Sequence, residues 1–484
     1  MTTITLRETG RRLTTTEGTP LRDVLFAEGV EFPCGGHGRC KGCRVRVVDG
    51  TLEPNENDTA ALSTAEIADG WRLACHHTAE ADVSLELAQW EMTILEDREA
   101  FTFRSRPGLG IAVDLGTTTI AAQLLDLQTG QVLATETALN DQARHGADVL
   151  ARAAYALAGG ASELTDIIRK QIGRMIAALA QGRDIARIVV VGNSAMHHLF
   201  GGLDLAPLAT DPFLPEQPGA LHFHGNDLGW ETQAEVDVLP CIGGLVGGDV
   251  LAGVMTTGLA EHRGLTALVD LGTNGEVVVA QAERMLCTST AAGPAFEGAR
   301  IRHGMRAASG AIDSVEAGTP LRCHVIGGGT ARGLCGSGLV DAVAAGLDLG
   351  LIATNGRLAQ DWPLADAVAL TPKDVRELQL AKGAIAAGLT LLTAKFDATP
   401  ADIETLYLAG AFGNAISKTS ASRIGLLTTP VERIVPAGNT ALKGAKRALF
   451  LNMDEFDALA RTIGFVPLAE EPDFEDRFAE AMRF

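Results

Sequence analysis

The chain has 484 residues, 46% of them hydrophobic and 21% charged, with a net charge of −20. This is the make-up of a folded protein of roughly two to four domains, and so acidic a chain disfavours nucleic acid and anionic membrane surfaces as partners. No apolar run approaches the ~18 residues of a membrane span, Met1–Glu8 lacks a basic stretch followed by an apolar one, and the expectation is a cytoplasmic protein without a signal peptide.

Thr2–Glu8 and Arg11–Thr16 alternate like two strands joined by a turn at Gly10. Pro20–Gly29 has the pattern of a short amphipathic helix that stops at its glycine. Then comes Pro33-Cys34-Gly35-Gly36-His37-Gly38-Arg39-Cys40-Lys41-Gly42-Cys43, three cysteines and four glycines in eleven residues. Arg44–Val48 reads as a strand, Asp58–Asp69 as a helix, and Trp71–Cys75 and Asp82–Leu87 as strands. A few strands crossed by one helix, with a metal loop behind it, is the order of a β-grasp ferredoxin. We expect this unit over residues 1–90 and a linker over 91–108, which is mixed in charge and ends in Arg104-Ser105-Arg106-Pro107-Gly108.

Thiolates are soft ligands for iron or zinc. Their spacing here is Cys-x5-Cys-x2-Cys, with Cys75 lying 32 residues past Cys43. Plant-type [2Fe–2S] ferredoxins use Cys-x4-Cys-x2-Cys and a distant fourth cysteine; the extra residue agrees with the adrenodoxin-like branch. Glycines let the loop wrap a cluster and aim N–H groups at sulfur. A structural zinc site usually shows two close cysteine pairs, not one pair and two singles, and inert cysteines avoid exposed Gly-rich loops. The pattern favours a [2Fe–2S] cluster on Cys34, Cys40, Cys43 and Cys75, with His37 facing solvent. Cys241, Cys287, Cys323 and Cys335 sit mostly among small or apolar residues and are expected to be inert, buried thiols.

From Ile111 the chain contains an internal repeat. Ile111-Ala112-Val113-Asp114-Leu115-Gly116-Thr117-Thr118-Thr119 returns 156 residues later as Leu268-Val269-Asp270-Leu271-Gly272-Thr273-Asn274-Gly275-Glu276. The period is too long for a solenoid and fits two related α/β halves, about 109–262 and 263–484. Ala147–Leu157, Ala161–Ala180 and Pro372–Thr393 look helical. Ala186–Val191 is a buried strand running into Gly192-Asn193-Ser194, and Leu406–Ala409 runs into Gly410-Ala411-Phe412-Gly413. Strands alternating with helices argue for α/β layers.

An Asp at a strand end followed by a Gly-Thr turn suits a phosphate. Backbone N–H groups form an anion nest, threonine hydroxyls add hydrogen bonds, and the carboxylate can hold Mg2+. One such turn is often only a hairpin; two matched copies could grip a triphosphate from both sides. Here the chain resembles the acetate and sugar kinase, heat-shock chaperone ATPase and actin superfamily, the ASKHA fold. That resemblance makes Asp114–Thr119 and Asp270–Glu276 the two phosphate loops and Gly410–Gly413 the adenosine loop. It implies nucleotide contacts from Gly116, Thr117, Thr118, Gly272, Thr273, Asn274, Gly410 and Gly413, and catalytic roles for Asp114 and Asp270 in placing Mg2+ and the attacking water. Glu276 reads more simply as a strand-face residue. Of His197 and His198, one is expected to pack and the other to be solvated. Arg300, Arg302 and Arg306 form a basic cluster that is either a solvated face or an interface patch.

A ferredoxin domain followed by such an ATPase resembles the reductive activators of corrinoid-dependent methyltransferases. Markers beyond the cysteine loop are Arg72-Leu73-Ala74-Cys75, Gly146-Ala147-Asp148-Val149, Gly192-Asn193-Ser194-Ala195-Met196-His197-His198, Leu334-Cys335-Gly336-Ser337-Gly338-Leu339 and Leu408-Ala409-Gly410-Ala411-Phe412-Gly413-Asn414. Two features depart from relatives: Lys41-Gly42 stands where many have Gly-Lys, and no further domain separates ferredoxin from ATPase. The resemblance implies ATP-dependent, one-electron reduction of an inactive Co(II) corrinoid protein to Co(I), in support of a corrinoid-dependent methyltransferase or methionine synthase. It implies a [2Fe–2S] cluster, ATP and Mg2+ as cofactors, and an unidentified low-potential electron donor; a homodimer is compatible with it. A gap of a few hundred millivolts is several kcal/mol at about 59 mV per tenfold for one electron, which ATP hydrolysis can cover. The rival readings are an ASKHA small-molecule kinase, which has no use for a ferredoxin domain, and a redox-sensing, ATP-dependent binding switch. A plain electron carrier with a vestigial ATPase conflicts with the intact paired Asp turns.

Overall fold

In a computed structural model the chain builds one five-stranded sheet and two six-stranded sheets, besides smaller strand pairings. The structure describes residues 1–7, 10–26, 28, 30, 32, 36, 38, 43–87, 101–146, 148–210, 213–272, 274–298 and 300–484. Cys34, His37 and Cys40, residues 88–100 (the end of the expected ferredoxin unit and the first part of the expected linker), and Thr273 lie outside the described residues.

The five-stranded sheet has the order Arg12–Thr15, Thr2–Leu6, Val83–Leu87, Arg44–Gly50, Trp71–Leu73. Thr2–Leu6 and Val83–Leu87 are its parallel pair. Both alternate buried and half-buried residues, which turns Ile4, Leu6, Val83, Leu85 and Leu87 onto the face covered by the helix Leu21–Phe26. The expected helix over 58–69 is two helices, Glu56–Ala61 and Thr64–Ala68. Ser63 splits them: its Oγ accepts from the Glu66 amide at 3.2 Å while Leu62 is extended, so a new capping box begins mid-segment.

The two larger sheets share a common order. In the first it is Val132–Leu139, Thr119–Asp126, Leu109–Leu115, Ile185–Val191, Glu235–Val238, with Leu221–His224 at the far edge. In the second it is Arg284–Thr290, Gly275–Gln281, Thr266–Leu271, Thr405–Ala409, Ile434–Gly438, with Ile463–Phe465 added at the opposite edge. In each, the strand carrying the repeated Asp pairs antiparallel with its hairpin partner and parallel with the next strand. Strands buried on both faces read as continuous apolar runs, as in Ile185–Val191.

Helices close the layers. Ala161–Ala180 buries Leu164, Ile168, Ile172, Met175, Ile176 and Leu179, the spacing of one helical face. The helix expected over 147–157 starts at Val149, capped by Asp148, and reaches Ala161 through a wide turn in which Gly159 has φ 105. Helices Gly248–Thr257 and Thr440–Ala448, one from each half, press together so closely that a Cβ on Gly444 would stand 2.4 Å from the Ala252 Cβ. The core around them draws on both sheets, with Ala112, Val189, Val250, Leu268, Val278 and Leu442 in one cluster. Phe101 and Phe103 pack on Phe450 of that core, so the last part of the expected linker lies along the α/β body.

The ferredoxin-like unit rests on both halves. Leu139 joins its core, the Arg144 guanidinium stands 4.8 Å over the Phe26 ring, and Arg332 donates to the Leu87 carbonyl at 2.8 Å. Glu86 gathers Arg7, Arg46 and Arg332 around one carboxylate. Among the described residues no helix is long and apolar enough to cross a membrane.

Candidate functional site

Two of the four cysteines of the N-terminal loop are described, and they converge. Cys43 Sγ and Cys75 Sγ are 3.2 Å apart, longer than the ~2.05 Å of a disulfide and short enough for both thiolates to bind one iron. Cys75 is not in a strand, as expected, but in a tight turn over Ala74–His76 that follows the strand Trp71–Leu73. Its clamps explain the Arg-Leu-Ala-Cys marker. Buried Arg72 donates to the carbonyls of Leu52 and Ile67, the Leu73 amide donates to Asp58 Oδ1, and the Ala74 amide donates to the Cys43 carbonyl at 3.1 Å. Gly38 has φ +69, and a Cβ there would lie 2.5 Å from His76 Nε2, so only glycine lets the loop close over this turn. These residues fit a [2Fe–2S] cluster.

The second site lies where the two Asp-Leu-Gly-Thr turns face each other. The first turn is held from beneath. Asn140 Nδ2 donates to the Gly116 carbonyl at 2.9 Å, Arg152 donates through Nη2 to the Thr117 carbonyl, and Asn193 Nδ2 donates to Thr117 Oγ1 at 2.9 Å. These bonds hold two carbonyls and the Thr117 hydroxyl of the turn from one side, and the Gly116 amide closes it onto the Thr119 carbonyl at 3.1 Å. Arg152 is fully buried, and burial pushes its pKa down to about 9, which leaves a cation behind the turn at neutral pH. The Gly-Ala-Asp-Val marker starts the helix that carries it, and Gly146 contributes a carbonyl to its Nε at 2.8 Å. Asn193 both reaches Thr117 and caps the helix Ser194–Gly201 by accepting from the Met196 amide. Neither Arg152 nor Asn140 stood out in the sequence.

The second turn is lined with carboxylates. Asp270 ends its strand, Glu276 follows on the hairpin partner, and Asp249 enters from the first turn of the helix Gly248–Thr257. Asp114 joins them from the first half and accepts from Asn439 Nδ2 at 2.8 Å. Asn439 caps the other central helix, Thr440–Ala448, so each half sends a helix start to the Asp of the other. All four carboxylates keep some contact with solvent yet are ringed by protein. Burial raises Asp114 to about 6, with Asn439 pulling the other way. Burial and then the Asp270 charge raise Asp249 to about 7; burial and then Asp114 raise Asp270 to about 7. Glu276 is raised by burial, then by Asp249 and Asp270. Glu276 is thus part of the carboxylate cluster and not a plain strand-face residue. Asp249 was missed in sequence; its signal is Gly247-Gly248, where a Cβ on Gly247 would sit 2.3 Å from the Gly192 carbonyl oxygen.

The other expected nucleotide contacts distribute along this cleft. Thr118 is half-buried in the first turn, and the Gly272 amide donates to the Asn274 carbonyl at 3.0 Å. Gly410 opens the short helix Gly410–Ala415 with φ +85, and a Cβ there would be 2.7 Å from Asp270 Oδ1, so it backs directly onto the carboxylates. Gly413 packs on Leu408. Phe412 stacks on Phe296 with ring centroids 4.6 Å apart, beside the Gly336 start of the helix Gly336–Asp348.

Three expectations concern residues outside the cleft. His197 and His198 are both buried, each 1% exposed, because the helix that carries them is enclosed nearly all round. Arg300 and Arg302 are exposed, as a solvated face requires, and Arg302 pairs with Asp361 at 2.6 Å. Cys241, Cys287 and Cys335 are buried as expected, while Cys323 is half-buried.

The fold and the site together define an iron–sulfur ferredoxin joined to a duplicated ASKHA-type nucleotide-binding body. Residues 4–80 match the 2Fe-2S iron-sulfur cluster binding domain, 109–262 the RACo middle region, and 264–484 the C-terminal ASKHA domain of RACo. The chain is 34% identical over 422 residues to the corrinoid activation enzyme RamQ of Eubacterium limosum, covering 78% of this chain and 70% of that protein. It is 29% identical over 388 residues to the [Co(II) methylated amine-specific corrinoid protein] reductase of Methanosarcina barkeri, covering 72% and 71%. Among solved structures it is similar to a reductive activator for corrinoid, iron-sulfur protein, with a TM-score of 0.71 and 27% identity over 100% of this chain and 98% of that one. The chain belongs to the family of RACo-type reductive activators of corrinoid proteins.

Proposed function

We propose that this protein uses ATP to drive the one-electron reduction of an inactive Co(II) corrinoid protein to Co(I), restoring the partner to methyl transfer. The observation that carries the reading is the coupling of two sites in one chain: converging cysteines at one, and at the other a cleft built from two Asp-Leu-Gly-Thr turns and four carboxylates. The bound [2Fe–2S] cluster supplies a one-electron carrier. Cys43 and Cys75, with Cys34 and Cys40, are its ligands in this reading.

The division of labour follows the chain. Residues 1–90 form the electron-carrying unit, 91–108 the connection, and 109–262 and 263–484 the two halves of the ATPase. The N–H groups of Thr117 and Thr118 bind one part of the triphosphate beside Gly116, whose own amide closes the turn onto the Thr119 carbonyl, with Arg152 supplying positive charge from behind. Gly272, Thr273 and Asn274 approach it from the other side, and Gly410–Gly413 leaves room for the nucleoside. Asp114, Asp249 and Asp270 hold Mg2+, which relieves their mutual repulsion, and Asp270 orients the attacking water. Because Asn439 bonds Asp114 across the halves, nucleotide binding at the turns is felt by both central helices, and closure changes the surface offered to the corrinoid partner. An external low-potential donor re-reduces the chain.

The test is anaerobic. Reduced, cluster-loaded full-length protein is mixed with a Co(II) corrinoid protein, and Co(I) absorption is followed with and without Mg-ATP. The expected result is Co(I) formation that requires Mg-ATP. Equal reduction without nucleotide would overturn the coupling, and ATP-dependent phosphorylation of a sugar or carboxylate would return the protein to the kinases.

A further inference from the structure

The Gly-Asn-Ser-Ala-Met-His-His segment is only half accounted for by the phosphate turn. Asn193 and Met196 serve that turn, whereas His197 and His198 point elsewhere. One ring nitrogen of each and the Sγ of Cys241 all lie within 4.8 Å of one another, and all three residues are buried. The anchors of the two rings are specific. His197 Nε2 is 3.1 Å from the Gly219 carbonyl, and His198 Nδ1 is 2.8 Å from the Ser194 carbonyl. A carbonyl only accepts, so each of these nitrogens carries the proton, which leaves a lone pair on His197 Nδ1, 3.4 Å from His198 Nδ1, and one on His198 Nε2. The latter atom is buried without a hydrogen-bond partner, in a residue 1% exposed. A buried acceptor left in that state is costly and calls for an occupant.

We propose that His197, His198 and Cys241 form a binding site for one zinc-class divalent cation. Two imidazoles and one thiolate are borderline-soft ligands of the kind zinc takes. Each ring donates its other N–H to a backbone carbonyl, the outer-shell support that fixes the tautomer of a metal-bound histidine. Ser194 Oγ is buried beside the Cys241 thiol and, with water, is available for a fourth position. On binding, Cys241 loses its thiol proton to solvent and the metal takes the thiolate. The site is separate from the N-terminal cysteine loop. It ties the helix Ser194–Gly201 to Gly219 and to Cys241, whose amide donates to the Pro218 carbonyl at 2.7 Å. Since Asn193 caps that helix and bonds Thr117, the cation fixes the platform on which the first phosphate turn stands.

The test uses the full-length, cluster-loaded protein, stripped of loosely held metal, given one equivalent of zinc chloride and desalted. We expect about one zinc retained per chain, with a zinc-edge absorption spectrum showing one sulfur at about 2.3 Å and two imidazole nitrogens at about 2.0 Å. Zinc that displaced the cluster would instead show sulfur ligands alone, with iron lost in proportion. Cys241→Ser and His198→Ala should lower retention at least about tenfold without changing the iron content. If either variant misfolds, the zinc dependence of the wild-type melting temperature gives the second readout, with a rise expected. No zinc retained by folded wild-type protein, all-sulfur ligation, or undiminished retention in a folded Cys241→Ser protein would each overturn the assignment.

Discussion

The two Asp-Leu-Gly-Thr turns share one sequence pattern and are held in opposite ways. The first is fastened by side chains beneath it, from Asn140, Arg152 and Asn193. The second, among the described residues, is bordered by carboxylates whose pKa values are raised first by burial and then by neighbouring charge, Asp249 by Asp270, Asp270 by Asp114 and Glu276 by Asp249 and Asp270. A duplicated fold has thus been divided into a preformed anion grip and a negatively charged end that is incomplete without a cation. Preorganised dipoles stabilise charge at no cost at the moment of reaction, while a cluster of like charges stores repulsion that a metal ion releases.

The largest expected effect lies at the charged end. Asp270→Asn and Asp249→Asn keep side-chain volume and remove one charge each. Either should cut ATP-dependent Co(I) formation by about 10²–10³-fold, the scale for removing one preorganised electrostatic group, with [2Fe–2S] absorption unchanged. Nucleotide-driven reduction at the wild-type rate in Asp270→Asn would remove that residue from the mechanism and erase the contrast between the turns.

The braced end should answer in stability. Arg152→Met takes partners from the Thr117 and Gly146 carbonyls and from Gln142 Oε1. Stranding buried acceptors costs about 1–3 kcal/mol each, so on the order of 3 kcal/mol should be lost from the ATPase body. At about 2–4 °C per kcal/mol, calorimetry should show its transition about 6–12 °C lower. Nucleotide affinity should weaken as well, because the turn loses its support. A variant as stable as the parent would show that the clasp beneath the first turn contributes little.

Much of this contrast is legible in the sequence, and the missing part has a physical reason. The repeat of Asp114 and Asp270 placed both turns correctly because strand-end turns are local in sequence. Of the four cysteines that spacing grouped as ligands, the two within the described residues, Cys43 and Cys75, do meet. Asp249 and Arg152 were invisible because neither belongs to a turn motif. Asp249 rides a helix that crosses to the other half, and Arg152 looks like any surface arginine until the chain from 142 to 196 closes over it. His198 was expected to alternate with His197 between core and solvent; a helix covered nearly all round has no solvent side. The break at Ser63 is written in its capping box with Glu66, a signal that the reading of 58–69 as one helix did not use.

The smallest expected effect separates the two ends by pH. Asp249 and Asp270 move from an ordinary 3.8 to about 7, and Asp114 to about 6. A carboxyl that holds its proton more tightly folded than unfolded contributes stability that is fully present below about pH 4. That contribution drains away as pH rises through the folded value. In metal-free, nucleotide-free protein the ATPase body should therefore lose stability between about pH 4 and 8, steepest between about 5 and 6, where the unfolded carboxyls have ionised and the folded ones have not. One pKa unit is about 1.4 kcal/mol; partial solvent contact and shared protons trim the sum to an expected loss of about 1–3 kcal/mol. Saturating Mg2+ with a nonhydrolysable ATP analogue should flatten the profile, because the cation replaces the protons. Asp249→Asn should flatten it partly without any ligand. The first turn, whose charge is the guanidinium of Arg152 with a pKa of about 9, should add no slope in this window. A metal-free profile that is flat from about pH 4 to 8 would mean that the carboxylates ionise normally, and the charged end would then differ from the braced end in sequence alone.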